Sequence, residues 1–255
     1  KRNLGDVEAF LEFAVKKAGA PQRWLPPDKE FKRTLIGSST RTSAEALTVP
    51  VKGQDLEMLL EGLASNEKHG LRLCVGLIGL FGLRPSELGE LTVDDGKLYV
   101  GQTKRNMQTL HKPKAPPRRV IAIDLPSLPN EGQRLIAQYD SGIVKFPLAI
   151  TRAIQRAKEK DEYKEIGDAL RQLLQRYWLW QAMEKRTEGL KVYSLRHGYA
   201  WRAHRVSKVA YSVTDASALM GHDPNTHLKH YGRWVDEAQL EEATAKFKAG
   251  QEVAA

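Results

Sequence analysis

The run L-R-L-C-V-G-L-I-G-L at residues 71 to 80 constrains the fold most. Arg72 interrupts it, and it falls short of the roughly 18 apolar residues that a membrane span needs. A helix this apolar on every side must be covered by other elements. Residues 67 to 80 are therefore expected as a largely buried helix, with a partner helix over 55 to 63. Apolar residues make up 41% of the 255-residue chain, enough for one large domain, or one domain and a small partner. Cys74, the only cysteine, lies inside the run and reads as core filler. A single cysteine excludes a disulfide within the chain and fits a reduced, intracellular, cytoplasmic setting. No secretory signal is visible.

Punctuation places the other elements. Val7, Phe10, Leu11 and Val15 recur at helical spacing over residues 5 to 19, with Gly19 to stop the helix. The chain starts at Lys1 rather than Met, which reads as a fragment lacking an N-terminal part. Pro26-Pro27 breaks the chain, residues 28 to 35 are basic and mixed, and residues 37 to 54 read as a polar linker ending near Pro50. Residues 97 to 102 and 119 to 123 read as two strands of a ribbon with a long basic connection. Residues 130 to 186 are helical in pattern, with Ala169, Leu170, Leu173, Leu174, Tyr177 and Trp178 as core. Ser194 is expected to cap a helix over 195 to 205, and Gly221 to end one over 214 to 220. Asp223-Pro224 opens a helix to Tyr231, and residues 235 to 248 form a last amphipathic helix with Leu240, Ala243 and Phe247 on one side. The fold class is mostly α with a small antiparallel β-sheet.

The formal net charge is +9, which favours a polyanionic partner, nucleic acid first. Gly82 allows a sharp turn, and Pro85 suits the first position of a helix, so Arg84 stands just outside a helix N-terminus. Arg196 lies in the first turn of another helix, and His222 directly follows Gly221. Helix N-termini favour anions, so these edges suit one shared phosphate. A surface arginine paired with Glu87 is the plainer alternative for Arg84, and Glu87 itself reads as holding that helix in place. His227 and His230 lie three residues apart on the Tyr231 helix, but no second ligand set supports zinc. Together with Lys229 and Arg233 they read as groups flanking Tyr231. The chain contains no G-x-x-x-x-G-K-[ST] phosphate loop.

The pieces G-L-R-P-S-E-L around Arg84, T-K at Lys104, Y-S-L-R-H-G around Arg196, L-M-G-H at His222, and Tyr231 nine residues later together resemble the tyrosine recombinase, or phage-type integrase, family. The resemblance spans roughly residues 50 to 240. It implies that residues 1–45 are the end of a core-binding domain plus linker, and residues 46–255 a catalytic domain. It further implies that Tyr231 attacks a DNA phosphate to give a 3′-phosphotyrosyl bond, with Arg84, Arg196 and His222 on the non-bridging oxygens. Lys104 would be the general acid, with Lys112 and Lys114 as alternatives. No cofactor or metal is needed, because the tyrosyl ester keeps the bond energy. The partners would be double-stranded DNA and other protomers, a tetramer in synapsis. The setting would be the nucleoid of a bacterium, phage or mobile element. Tyr193 departs from the family's usual His-x-x-Arg; a phenol with an ordinary pKa near 10 is a poor base, so Tyr193 is expected only to position groups. The neighbouring His197 reads as a packed histidine. A type IB topoisomerase and a non-catalytic DNA-binding module of the same fold remain the alternatives.

Overall fold

In the computed structural model of the protein, the described residues are 2–36, 49–103, 113–205 and 211–231. Lys104, Lys112, Arg233, most of the expected linker and the expected helix over 235 to 248 lie outside them. The chain divides into two compact units, Lys1–Ala46 and Leu47–Ala255.

The first unit holds α1 (Arg2–Ala18) and α2 (Lys29–Ile36). Gly19, at φ +73°, ends α1 where its sequence says it should. The mixed-charge stretch after Pro27 is helical, because Asp28 accepts the Phe31 amide at 2.8 Å and so caps α2. An ion pair between Lys32 and Glu8 joins the two helices.

The second unit is built on α4 (His69–Phe81). Every residue of α4 from Leu73 to Phe81 is buried. It packs against α3 (Gly53–Ser65), α5 (Glu131–Asp140) and α9 (Tyr193–Arg205). Leu56, Leu59, Leu60 and Leu63 of α3 supply the facing apolar stripe. The remaining helices of the large helical stretch are α6 (Leu148–Lys160), α7 (Lys164–Gln175) and α8 (Trp178–Arg186). Ile166, Leu170 and Leu174 bury one face of α7. Trp178, expected in the core, is instead 61% exposed. The chain breaks between α7 and α8, so the helical period that aligns Leu170 and Leu174 does not extend to Trp178.

Among the described residues the sheet has three antiparallel strands: β1 (Leu91–Asp94), β2 (Lys97–Val100) and β3 (Arg118–Arg119). The fold class is thus mostly helical with a small antiparallel sheet, as expected. The two expected strands are shorter than read, and β1 adds a hairpin whose turn, Asp95-Gly96, has positive φ at both residues. Helices α10 (Val213–Met220) and α11 (Pro224–Tyr231) complete the described chain. Ser194 does not cap its helix from outside. It lies within α9, and its hydroxyl accepts the Lys191 amide at 3.0 Å.

Gly82 shows how α4 is stopped. Its φ is +66°, and a Cβ there would meet the Tyr199 ring at 2.5 Å. Gly82→Ala should therefore cost about 1–2 kcal/mol for the left-handed backbone and a further ~1–3 kcal/mol for overpacking. Gly142 has φ +67° but nothing within 4 Å of its Cβ position. Thermal denaturation should show Gly82→Ala losing clearly more than Gly142→Ala; equal losses would remove the close approach of Tyr199 as a constraint.

Candidate active site

The C-terminal ends of α4 and α10 present free carbonyls to arginines, two of them on α9, and these carbonyls organise the site. An α-helix leaves its last carbonyls without intrahelical donors. At the end of α4, the Gly79 carbonyl accepts from Arg202, Leu80 accepts the Ile123 amide at 2.8 Å, and Gly82 accepts from Arg196. At the end of α10, Gly221 takes φ +66° and closes a Schellman turn, its amide on Ala218 and that of His222 on Ser217. The next three carbonyls each take an arginine. Leu219 accepts Arg118 Nε at 3.2 Å, Met220 accepts Arg196 at 2.5 Å, and Gly221 accepts Arg84 at 2.8 Å. Cations at helix C-termini also interact favourably with the macrodipole. Arg84 and Arg196 thus do sit at helix edges, but their guanidiniums face C-terminal carbonyls. The expected N-terminus beside Arg84 is only a five-residue 3-10 turn, Pro85–Gly89.

Glu87 sits among these arginines and is 1% exposed. Its carboxylate accepts Arg84 at 2.6 Å and Arg118 at 2.9 Å, and Arg196 Nη1 stands 3.8 Å away. It also accepts the Arg84 amide at 2.7 Å. Burial alone would raise its pKa, yet Arg118, Arg196 and Arg84 together hold it below the usual carboxylate range. Glu87 therefore does hold its turn in place, as read from sequence. Among the described residues three guanidiniums share this one carboxylate, which leaves positive charge in excess. Arg196 is 1% exposed, and its Nε has no hydrogen-bond partner among the described residues. Burial and the neighbouring Arg84 both work against its charge.

Tyr231 lies against this cluster. Its side chain belongs to a small apolar group with Tyr199, Ala200 and Met220, and it is 5% exposed. Burial pushes the phenol up to about 12, while a hydrogen bond and the charge from Arg196 favour the phenolate. Tyr193 is 39% exposed, and the Arg196 guanidinium lies 6.0 Å from its ring centre. Tyr193 also acts on Arg84, favouring its charged form. His197 packs edge-on between the two phenols, with ring centres 5.2 Å from Tyr193 and 5.3 Å from Tyr231. His197 is 8% exposed and so packed, as expected, and burial drives its pKa down to about 4.

His222 is tied in through both ring nitrogens. Nδ1 is 3.2 Å from Arg196, and Nε2 is 2.8 Å from Nδ1 of His227. Nε2 of His227 is in turn 2.7 Å from Nε2 of His204. His227 does flank Tyr231, with ring centres 4.6 Å apart, but it is 1% exposed and its ring nitrogens meet His222 and His204. Zinc bound tetrahedrally at 2.0–2.1 Å would hold nitrogens about 3.3 Å apart and converging. These nitrogens meet in separate closer pairs, and among the described residues no group of three or more His, Cys, Asp or Glu is arranged to hold a metal.

The structure thus brings Arg84, Arg196, His222, Tyr193 and Tyr231 together. Lys104 lies outside the described residues. Lys114 pairs with Asp161 at 2.7 Å and lies 5.5 Å from the Tyr163 ring centre. Sequence reasoning missed Arg118 and His204. Arg118 donates to the Glu87 carboxylate from 31 positions away, and only the R-R pair beside a strand hinted at it.

No protein-family model matches the chain, and no curated protein matches it. Among solved structures it is similar to XerA recombinase, at 15% identity over 96% of this chain and 82% of that one, with a TM-score of 0.49. It is similar to the XerH site-specific recombinase bound to difH substrate in a pre-cleavage complex, at 15% identity over 93% and 68% of the two chains, TM-score 0.46. It is also similar to a protelomerase, tela, covalently complexed with substrate DNA, at 16% identity over 94% and 85%, TM-score 0.42. Among the described residues no helix is long and apolar enough to cross a membrane.

Two outcomes follow from the electrostatics. Glu87→Gln should destabilise the fold by roughly 3 kcal/mol in urea unfolding, since it strips charge compensation from buried guanidiniums. Stability should also fall on acidification. An unfolded imidazole takes its proton near 6.5, whereas burial and nearby arginines push His222 down to about 3, and burial brings His227 and His197 to about 4. Between these values the unfolded chain binds more protons, so stability present at pH 7 is lost as pH drops from about 6.5 toward 4. Glu87 adds a further loss below the carboxylate range. A urea midpoint unchanged between pH 7.5 and 5 would contradict this.

Proposed function

We propose that the protein cleaves and rejoins DNA strands through Tyr231. The observation that carries this reading is a buried phenol hydrogen-bonded to Arg196, beside guanidiniums in excess of their one carboxylate. The Tyr231 oxygen attacks a DNA phosphorus, a phosphotyrosyl ester forms at the 3′ end, and the 5′-oxygen leaves as a hydroxyl. Arg84 and Arg196 meet the charge that develops on the non-bridging oxygens with planar, permanently charged forks. Carbonyls and Glu87 already hold them in position, so little reorganisation accompanies the reaction.

The phenolic proton passes to solvent before or during attack, and the acid returns one to the 5′-oxygen, so the step is proton-neutral overall. A phenol pushed up to about 12 gives it up reluctantly, and Arg196 partly offsets that cost. Tyr193 lies beside the two guanidiniums, favouring the charged form of Arg84. Lys104 remains the proposed acid for the leaving 5′-oxygen. Rejoining to the 5′-hydroxyl of a second duplex gives site-specific recombination, with protomers assembled as a tetramer on paired DNA sites. The chain's net charge of +9 suits that partner.

Nicked duplexes drawn from the DNA beside the protein's own gene provide the test. Incubation should yield a protein–DNA adduct that survives denaturation. Tyr231→Phe should abolish the adduct while leaving DNA retention close to wild type. Arg196→Ala should slow its formation on the order of 10²–10³-fold, as for loss of an oxyanion donor. An adduct that persists in Tyr231→Phe would move the nucleophile elsewhere.

A further inference from the structure

The three imidazoles of His222, His227 and His204 form one continuous chain, and its protons are placed by elimination. Arginine only donates. His222 Nδ1, 3.2 Å from Arg196 Nη2, must therefore accept, and in a neutral ring its proton lies on Nε2. That N–H donates to His227 Nδ1 at 2.8 Å, which places the His227 proton on its own Nε2. The second N–H donates to His204 Nε2 at 2.7 Å. The His204 proton is then on Nδ1, and the backbone of Tyr211 hydrogen-bonds this ring in the sense that favours its protonated form, as a carbonyl acceptor does. Each link has one possible direction, from Arg196 outward to the backbone of Tyr211.

The chain bears on the site at two further points. The His227 ring centre lies 4.6 Å from that of Tyr231, and the His222 ring is stacked on Tyr231 at 6.0 Å. The middle ring is 1% exposed, so water does not substitute for its partners. In this arrangement His222 has both nitrogens committed to protein partners. Its first task is to hold the Arg196 guanidinium and the Tyr231 ring, not to offer a spare N–H.

We propose that His227 and His204 are positioning residues for strand cleavage: through the imidazole chain they lock His222 in its Nε2–H tautomer and fix Arg196 and Tyr231 relative to each other. This rests on Tyr231 as the nucleophile for its effect on rate, while the tautomers themselves do not depend on that reading. Tyr231 is a further titratable group against His222, and Arg84 a further charged one nearby. Burial first, then the charges of Arg196 and Arg84, disfavours the cationic form of His222.

The test uses the full chain and two readouts. Nitrogen-15 spectra of the histidine rings in the DNA-free protein should show Nε2–H at His222 and His227 and Nδ1–H at His204. His227→Phe keeps a flat ring but no nitrogen, and should erase the His222 tautomer signature. It should slow adduct formation on the order of 10²-fold, as for a small misplacement of reacting groups. His227→Gln, with an acceptor and a donor on one planar amide, should recover much of both. His204→Ala should weaken both readouts from the remote end if His227→Phe does not fold. An Nδ1–H tautomer at His222 in the wild type overturns the proposal. So does a His222 signature or cleavage rate left unchanged by both His227→Phe and His204→Ala, provided that Tyr231→Phe has abolished the adduct. If Tyr231→Phe leaves the adduct intact, the nucleophile assignment fails, and the ring spectra still decide the chain.

Discussion

One buried carboxylate holds the centre of this structure. Glu87 lies where three guanidiniums from distant segments meet, and it is almost wholly out of water. Desolvating that many like charges without a counterion would cost several kcal/mol per ion. With Glu87 present, Arg84, Arg118 and Arg196 approach one another and still leave positive charge over. That surplus suits an anion, because the donors are already aimed and water is largely excluded. The same geometry is costly for folding, as Arg196 Nε, without a hydrogen-bond partner among the described residues, shows. Packing elsewhere, above all around α4, must offset that cost.

Much of the scaffold was legible in the chain. The apolar run before Gly82 announced a central helix, since no other environment suits nine consecutive buried positions. Gly221, Asp223 and Pro224 marked the boundaries of α10 and α11 because caps and left-handed stops are local chemistry. The β1–β2 hairpin was missed although Asp95-Gly96 is a strong turn signal between alternating residues. Trp178 was misjudged because a helical period was carried across a break.

The site was legible in part. Arg84, Arg196, His222 and Tyr231 stood out by spacing and by motif, and they do converge. The contacts that hold them did not stand out. Arg118 reaches Glu87 from a short strand, and His204 reaches His227 from the far end of α9. Neither partnership leaves a periodic trace, because long-range contacts have no fixed spacing. His227 had a visible position on α11 but an invisible direction: its contacts with His222 and with His204 of α9 are what keep it inside.

The carbonyls at the ends of α4 and α10 carry a consequence for how this protein can vary. Five arginine contacts in the cluster end on main-chain oxygens, those of Gly79, Gly82, Leu219, Met220 and Gly221. A main-chain oxygen belongs to every amino acid alike, so drift at Leu219 or Met220 cannot delete it. What drift can do is displace the helix end that presents it. A side chain at Gly221 would run into Arg118 at 2.8 Å. Heritable damage to the charge cluster should therefore concentrate in glycines that take no part in chemistry, while the residues lending their oxygens are free to diverge.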